Sequence, residues 1–142
     1  MSSFIVDASV AIQWLVEEPD SKRADSFYDR YGSKGLVAPE LIVAEVCNIA
    51  WRKAVQKEIP VEQAIRIASG FPVLLPALVP SVRLAHLATA IALEINHPIY
   101  DCFYLSCADF MNAPLVTVDK RLIEKLSATR YAKRTLHLHA VS

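Results

Sequence analysis

Short apolar runs alternate with longer stretches of helical periodicity along this 142-residue chain. Phe4-Ile5-Val6 is wholly apolar and runs into Asp7, Ala8 and Ser9. This predicts a buried strand ending at an acid, then a helix over Ser9–Glu18 that Pro19 stops. Asp20-Ser21 offers an N-cap for a second helix with Ala24, Phe27, Tyr28 and Tyr31 on one face. Gly32 and Gly35 bracket a turn, and Leu36-Val37-Ala38 is a second strand before Pro39. A helix from about Glu40 to Lys57 carries Leu41, Ile42, Val46, Ile49 and Ala50 at helical spacing. Pro60 opens another helix to about Gly70. Pro72, Pro76 and Pro80 punctuate the next segment, where Leu78-Val79 is a weak third strand. Ser81 is placed to cap a helix reaching Asn96. Asp101 follows Ile99-Tyr100 and begins a further helix. Leu115-Val116-Thr117-Val118 is β-branched and almost wholly apolar, ends at Asp119, and precedes a last helix. Thr135–His139 alternates like an edge strand.

Short apolar strands between longer helices indicate βαβ units and a parallel sheet covered on both faces, an α/β architecture. In such a sheet the strands' carboxyl ends share one edge, where ligands bind. Asp7 and Asp119 both follow a strand and precede a helix. Asp101 opens a helix, and Glu45 lies one turn inside one. Four carboxylates gathered at one edge repel one another unless a cation is present, and an all-oxygen set suits Mg²⁺ or Mn²⁺. Such an ion binds a phosphodiester, acidifies a water and stabilises the leaving oxygen. The pattern points to metal-assisted phosphodiester hydrolysis. Each acid alone has a plainer reading: Asp101 and Asp119 as helix caps, Glu45 as a solvated helix residue, Asp7 as a turn cap.

Composition narrows the class. Hydrophobic residues make up 54% and charged residues 21%, with zero formal net charge. That fits a soluble globular chain of one domain, residues 1–142, with some apolar surface for a partner. Neutrality hides local asymmetry: Lys120–Arg134 holds six basic residues against Glu124 alone. Three cysteines with no C-x-x-C spacing argue against a disulfide framework or zinc site and suit a reducing cytoplasm. No signal-peptide pattern is evident, and no apolar stretch reaches the ~20 residues needed to span a bilayer.

As a set the motifs are more specific than any single acid. They read I-V-D-A-S from Ile5, P-E-L-I-V-A-E-V from Pro39, Y-D-C-F-Y-L-S-C-A from Tyr100 and L-V-T-V-D-K-R-L from Leu115. Their order and separation, from Phe4 to about Leu138, resemble the PIN-domain ribonucleases, most closely the VapC-type toxins of toxin–antitoxin pairs. Leu122 departs from the pattern, standing where an aromatic is common.

The resemblance implies a three-layer α/β/α sandwich with a short central parallel sheet. It implies a Mg²⁺- or Mn²⁺-dependent endoribonuclease whose acidic quartet is Asp7, Glu45, Asp101 and Asp119. Asp7, Asp101 and Asp119 are expected to hold the metal, Glu45 to complete its surroundings or orient water. Ser9 and Thr117 match the family's small hydroxyl residues beside the first and last acids. A homodimer and an occluding antitoxin are expected partners, with Trp14, Trp51, Phe71 and Leu75 as candidate interface residues. Lys120 and Arg121 are candidate contacts to RNA phosphates, and Arg52 and Lys53 more distant ones. The four histidines read as helix or tail residues. A dehalogenase-like phosphatase lacks its second aspartate here, and a receiver lacks its early acidic pair and late-strand lysine. A non-catalytic PIN-fold module that binds RNA or protein is the main alternative.

Overall fold

The computed structural model describes residues 3–141, leaving aside the side chain of Ser33. Five strands form one parallel sheet: β1 (Phe4–Val6), β2 (Leu36–Pro39), β3 (Leu78–Val79), β4 (Leu115–Thr117) and β5 (Thr135–His137). Their order is β3-β2-β1-β4-β5, so β1 is central. Ile5 is in register with Val37 on one side and Leu115 on the other, and Thr117 with His137 at the far edge. Helices α1 (Ala8–Ala11), α2 (Ser21–Gly35), α3 (Leu41–Val55), α4 (Val61–Leu74), α5 (Ser81–Ile95), α6 (Ile99–Met111) and α7 (Lys120–Leu126) flank it. The result is the expected three-layer α/β/α sandwich.

The apolar runs explain the burial. Ile5, Val6, Leu36, Ala38 and Val116 are fully enclosed, as a sheet covered on both faces requires. From α6, Cys102, Leu105 and Cys107 fill the same core. The three cysteines are free. Burial pushes the Cys102 thiol up to about 11 and the Cys107 thiol up to about 12, so both serve as small hydrophobes. No described helix is long and apolar enough to cross a membrane.

Several elements depart from expectation. The first helix is not continuous to Glu18. It gives way to a 3₁₀ turn at Ile12–Trp14 because Ser21 folds the chain back. The Ser21 hydroxyl lies 2.9 Å from the Gln13 carbonyl and 3.0 Å from that of Val16, and accepts from the Glu18 N–H. Asp20 makes no side-chain cap to α2. Gly32, at φ +55°, breaks the helical path before α2 ends. Helix α4 continues past Pro72 to Leu74. The missing N–H costs only the bond to Ala68, whose residue is exposed to water. Ser81 is the first helical residue of α5 and caps nothing; its N–H donates to Glu40 Oε1 at 3.3 Å. Asn96 and Asn112, at φ +52° and +50°, close α5 and α6 in the left-handed conformation that asparagine tolerates.

A candidate active site at the carboxyl edge of the sheet

Asp7 leaves the end of the central strand, and its neighbours are fixed by the register. Val6 pairs with Val116, which sets Thr117 beside Asp7. Thr117 Oγ1 donates to Asp7 Oδ2 at 2.7 Å, and Ser9 Oγ donates to the same oxygen at 2.8 Å. The Val118 N–H donates to Ser9 Oγ, tying α1 to β4. Burial is the main force raising the Asp7 pKa, and the Asp101 charge adds to it; the two hydroxyls oppose them. Thr117 is fully buried, so its hydroxyl is committed to these partners.

Glu45 projects from the second turn of α3. Tyr104 Oη donates to its Oε1 at 2.5 Å. Burial raises the Glu45 pKa, and the charges of Asp7 and Asp101 raise it further. Those mutual repulsions mark Asp7, Glu45 and Asp101 as one cluster. Asp101 reaches it from the first turn of α6 rather than from a strand end, since Ile99 and Tyr100 are already helical. Its Oδ2 lies 2.8 Å from His97 Nε2. Asp119 joins through bonds: its N–H donates to Thr117 Oγ1 at 2.9 Å. Its Oδ1 accepts from the Arg121 and Leu122 N–H groups, so it is also the N-cap of α7.

Among the described residues, no three acidic, histidine or cysteine side chains are closed around a metal position. The donors nevertheless fit a hard cation. All four are carboxylates, and two of them are pushed towards protonation partly by like charge, a cost that a bound cation relieves.

The predicted basic contacts divide. Lys120 and Arg121 are exposed on the first turn of α7, beside the acids. Lys53 is held by Glu18 and, at 3.6 Å, by Glu58, which removes it from the candidates. Arg52 is exposed and opens onto the cleft that Glu45 lines. The basic stretch is less cationic than it reads, because Arg130 pairs with Glu94 and Asp109 and Arg134 pairs with Asp109.

Tyr104 and His97 escaped the sequence reading. Tyr104 lies three residues after Asp101, one helical turn along, and His97 four before it; that spacing was the available signal. Burial and two nearby carboxylates hold the Tyr104 hydroxyl far above its usual pKa, so it remains a donor. Any reaction that depends on Glu45 is expected to slow about fivefold when Tyr104 is replaced by Phe, the worth of one ordinary hydrogen bond. Because Tyr104 holds the Glu45 pKa down, the variant's acid limb should also move to higher pH. A pH–rate profile checks both, and an unmoved limb would separate Tyr104 from Glu45.

Comparison with known proteins bears on this edge. A family model described as PIN domain matches residues 4–127. The chain belongs to the PIN domain family. No curated protein matches the sequence. Solved PIN-like folds superpose along nearly its whole length. PAE2754 from Pyrobaculum aerophilum is 20% identical with a TM-score of 0.70, covering 97% of this PIN domain chain and 85% of the other. A toxin–antitoxin complex from Klebsiella pneumoniae contains a chain 13% identical, TM-score 0.69, with 98% and 100% covered. A DNA-bound VapBC structure from Salmonella typhimurium contains one 14% identical, TM-score 0.68, with 97% and 99% covered. At these identities the likeness is one of fold.

Proposed function

We propose that this PIN domain, acting over the whole of residues 1–142, is a metal-dependent endoribonuclease and the toxin of a toxin–antitoxin pair. The observation that carries the reading is the convergence of Asp7, Glu45 and Asp101 on one sheet edge, where the Asp101 charge raises the Asp7 pKa and both charges raise that of Glu45. Asp7, Asp101 and Asp119 would hold Mg²⁺ or Mn²⁺. When bound, the ion neutralises phosphate charge and makes water a stronger acid. Ser9 and Thr117 keep one oxygen of Asp7 engaged and so fix its rotamer. Glu45, steadied by Tyr104, orients the attacking water for in-line displacement, leaving a 5′-phosphate and a 3′-hydroxyl. Lys120 and Arg121 contact RNA phosphates.

An antitoxin partner is supported by the Klebsiella toxin–antitoxin complex and the DNA-bound Salmonella VapBC, each of which contains a chain of this fold. Of the four residues expected at a partner surface, Phe71 and Leu75 are core, and Trp14 donates its indole N–H to the Ala24 carbonyl. Trp51 is 60% exposed and continues into Val55, Val61 and Ile65 along α3 and α4. That apolar face suits an antitoxin or a second copy in a homodimer, and the setting is cytoplasmic.

The rival reading is a PIN-fold module that binds without cutting. Cleavage of a mixed RNA pool with Mg²⁺, Mn²⁺ or EDTA decides between them. Metal-dependent cutting is expected. RNA binding without cutting in any metal would leave the binding module.

A further inference from the structure

We propose that the cleft beside Glu45, between α3 and the start of α6, seats the nucleobase next to the scissile phosphate. The proposal rests on the nuclease reading above and names how the site chooses its RNA. The cleft measures about 430 Å³, room for one base with its sugar. Glu45 lines it, and so does Ala8, the residue after Asp7.

The other walls carry recognition chemistry. Asn48 and Arg52 follow Glu45 on the same stripe of α3, three and seven residues on. Both are exposed, and neither side chain has a hydrogen-bond or ion-pair partner among the described residues. Arg52 differs in this from its neighbour Lys53, which is held by two acids. Tyr100 faces them from α6 and is 63% exposed, one residue before Asp101. Leu41 and Ile49 add apolar lining.

Each group has a use for a single-stranded nucleotide. A tyrosine ring stacks on any base, an amide offers a paired donor and acceptor to a base edge, and a guanidinium holds a flanking phosphate. Four other clefts among the described residues are lined by none of the four acids. The largest of them, about 470 Å³ along α2, is lined by Lys22, Arg23 and Arg30 but touches none of the four carboxylates.

The test uses a short randomised single-stranded RNA carrying a fluorescent label. Binding is read by anisotropy in Asp7→Asn protein, which retains the cleft, and cut positions of the otherwise wild-type enzyme are read by sequencing. Tyr100→Ala is expected to weaken binding about tenfold, with Tyr100→Phe near wild type because the ring remains. Asn48→Ala is expected to flatten the base preference at one position beside the cut. Arg52→Ala should reduce the salt slope of binding by about one. Binding and cut preference unchanged in Tyr100→Ala and Asn48→Ala would overturn the subsite and leave the nuclease standing; a protein side chain as the true occupant would give this result. Tyr100-dependent binding with no cutting by wild type would overturn the nuclease and leave the subsite. Failure of the wild-type chain to bind this RNA would also overturn the subsite.

Discussion

Asp7→Asn is expected to lower RNA cleavage by at least about 10³-fold, worth roughly 4 kcal/mol of transition-state stabilisation, while raising the melting temperature of the metal-free protein. The activity follows from charge. Asparagine keeps an oxygen for the Ser9 and Thr117 hydroxyls but has no negative charge to hold a cation. The stability follows from the direction of the pKa shift. Burial first, and Asp101 second, raise Asp7 above its ordinary value of 3.8. A raised acid opposes folding in full above its folded pKa, and that cost disappears as pH falls through it. Asparagine removes the cost at neutral pH. The wild-type Tm should therefore rise as pH falls through the raised values of Asp7 and Glu45 towards their ordinary 3.8 and 4.5. Added Mn²⁺ should stabilise wild type more than the variant. Thermal melts across pH, with and without Mn²⁺, beside the RNA assay, check all four. A fully active variant, or one that melts lower at pH 7 without metal, would refute the role given to Asp7.

Local patterns reveal local geometry, and that explains what could be read in advance. Phe4-Ile5-Val6 before Asp7 and Leu115-Val116-Thr117 before Asp119 announce strand ends because an apolar run followed by an acid has one sensible place in a covered sheet. The places of the four acids at strand ends and in early helical turns put them on one edge of the sheet, and the structure draws three into one electrostatic cluster. What stayed hidden depends on residues distant in sequence. Ser21 shortens the first helix by bonding eight residues back to Gln13. Glu94 and Asp109 neutralise arginines that read as a free basic face. The apolar richness that drew Phe71 and Leu75 towards a partner surface is equally that of a core segment, and packing decided it. Tyr104 was visible as a residue but not as a donor to Glu45, because α3 and α6 meet only in the fold.

Thr117→Val should cost about 10–100-fold in activity, the range found when an outer partner of a metal-binding group is lost. Valine matches threonine in shape, so β4 should keep its pairing with β1 and β5. The hydroxyl is what disappears, and it has three neighbours: Asp7 Oδ2 at 2.7 Å, the Asp119 N–H at 2.9 Å and Ser9 Oγ at 3.2 Å. Asp7 keeps Ser9 as a donor but loses the bond that opposes burial most strongly, so its pKa climbs further. The Asp119 N–H loses its acceptor at the point where that acid is aimed, a penalty of about 1–3 kcal/mol when no water replaces it. Two acids on different strands are thereby uncoupled by one atom. The activity loss should deepen as pH falls, because protonated Asp7 binds no cation, and half-maximal activity should require more Mn²⁺. Thr117→Ser separates this from a packing effect: it restores the hydroxyl, loses only a methyl group, and should recover most of the activity and the wild-type metal requirement. Failure of serine to rescue would mean that Thr117 acts by filling the core, and that Asp7 and Asp119 are held in place by something else.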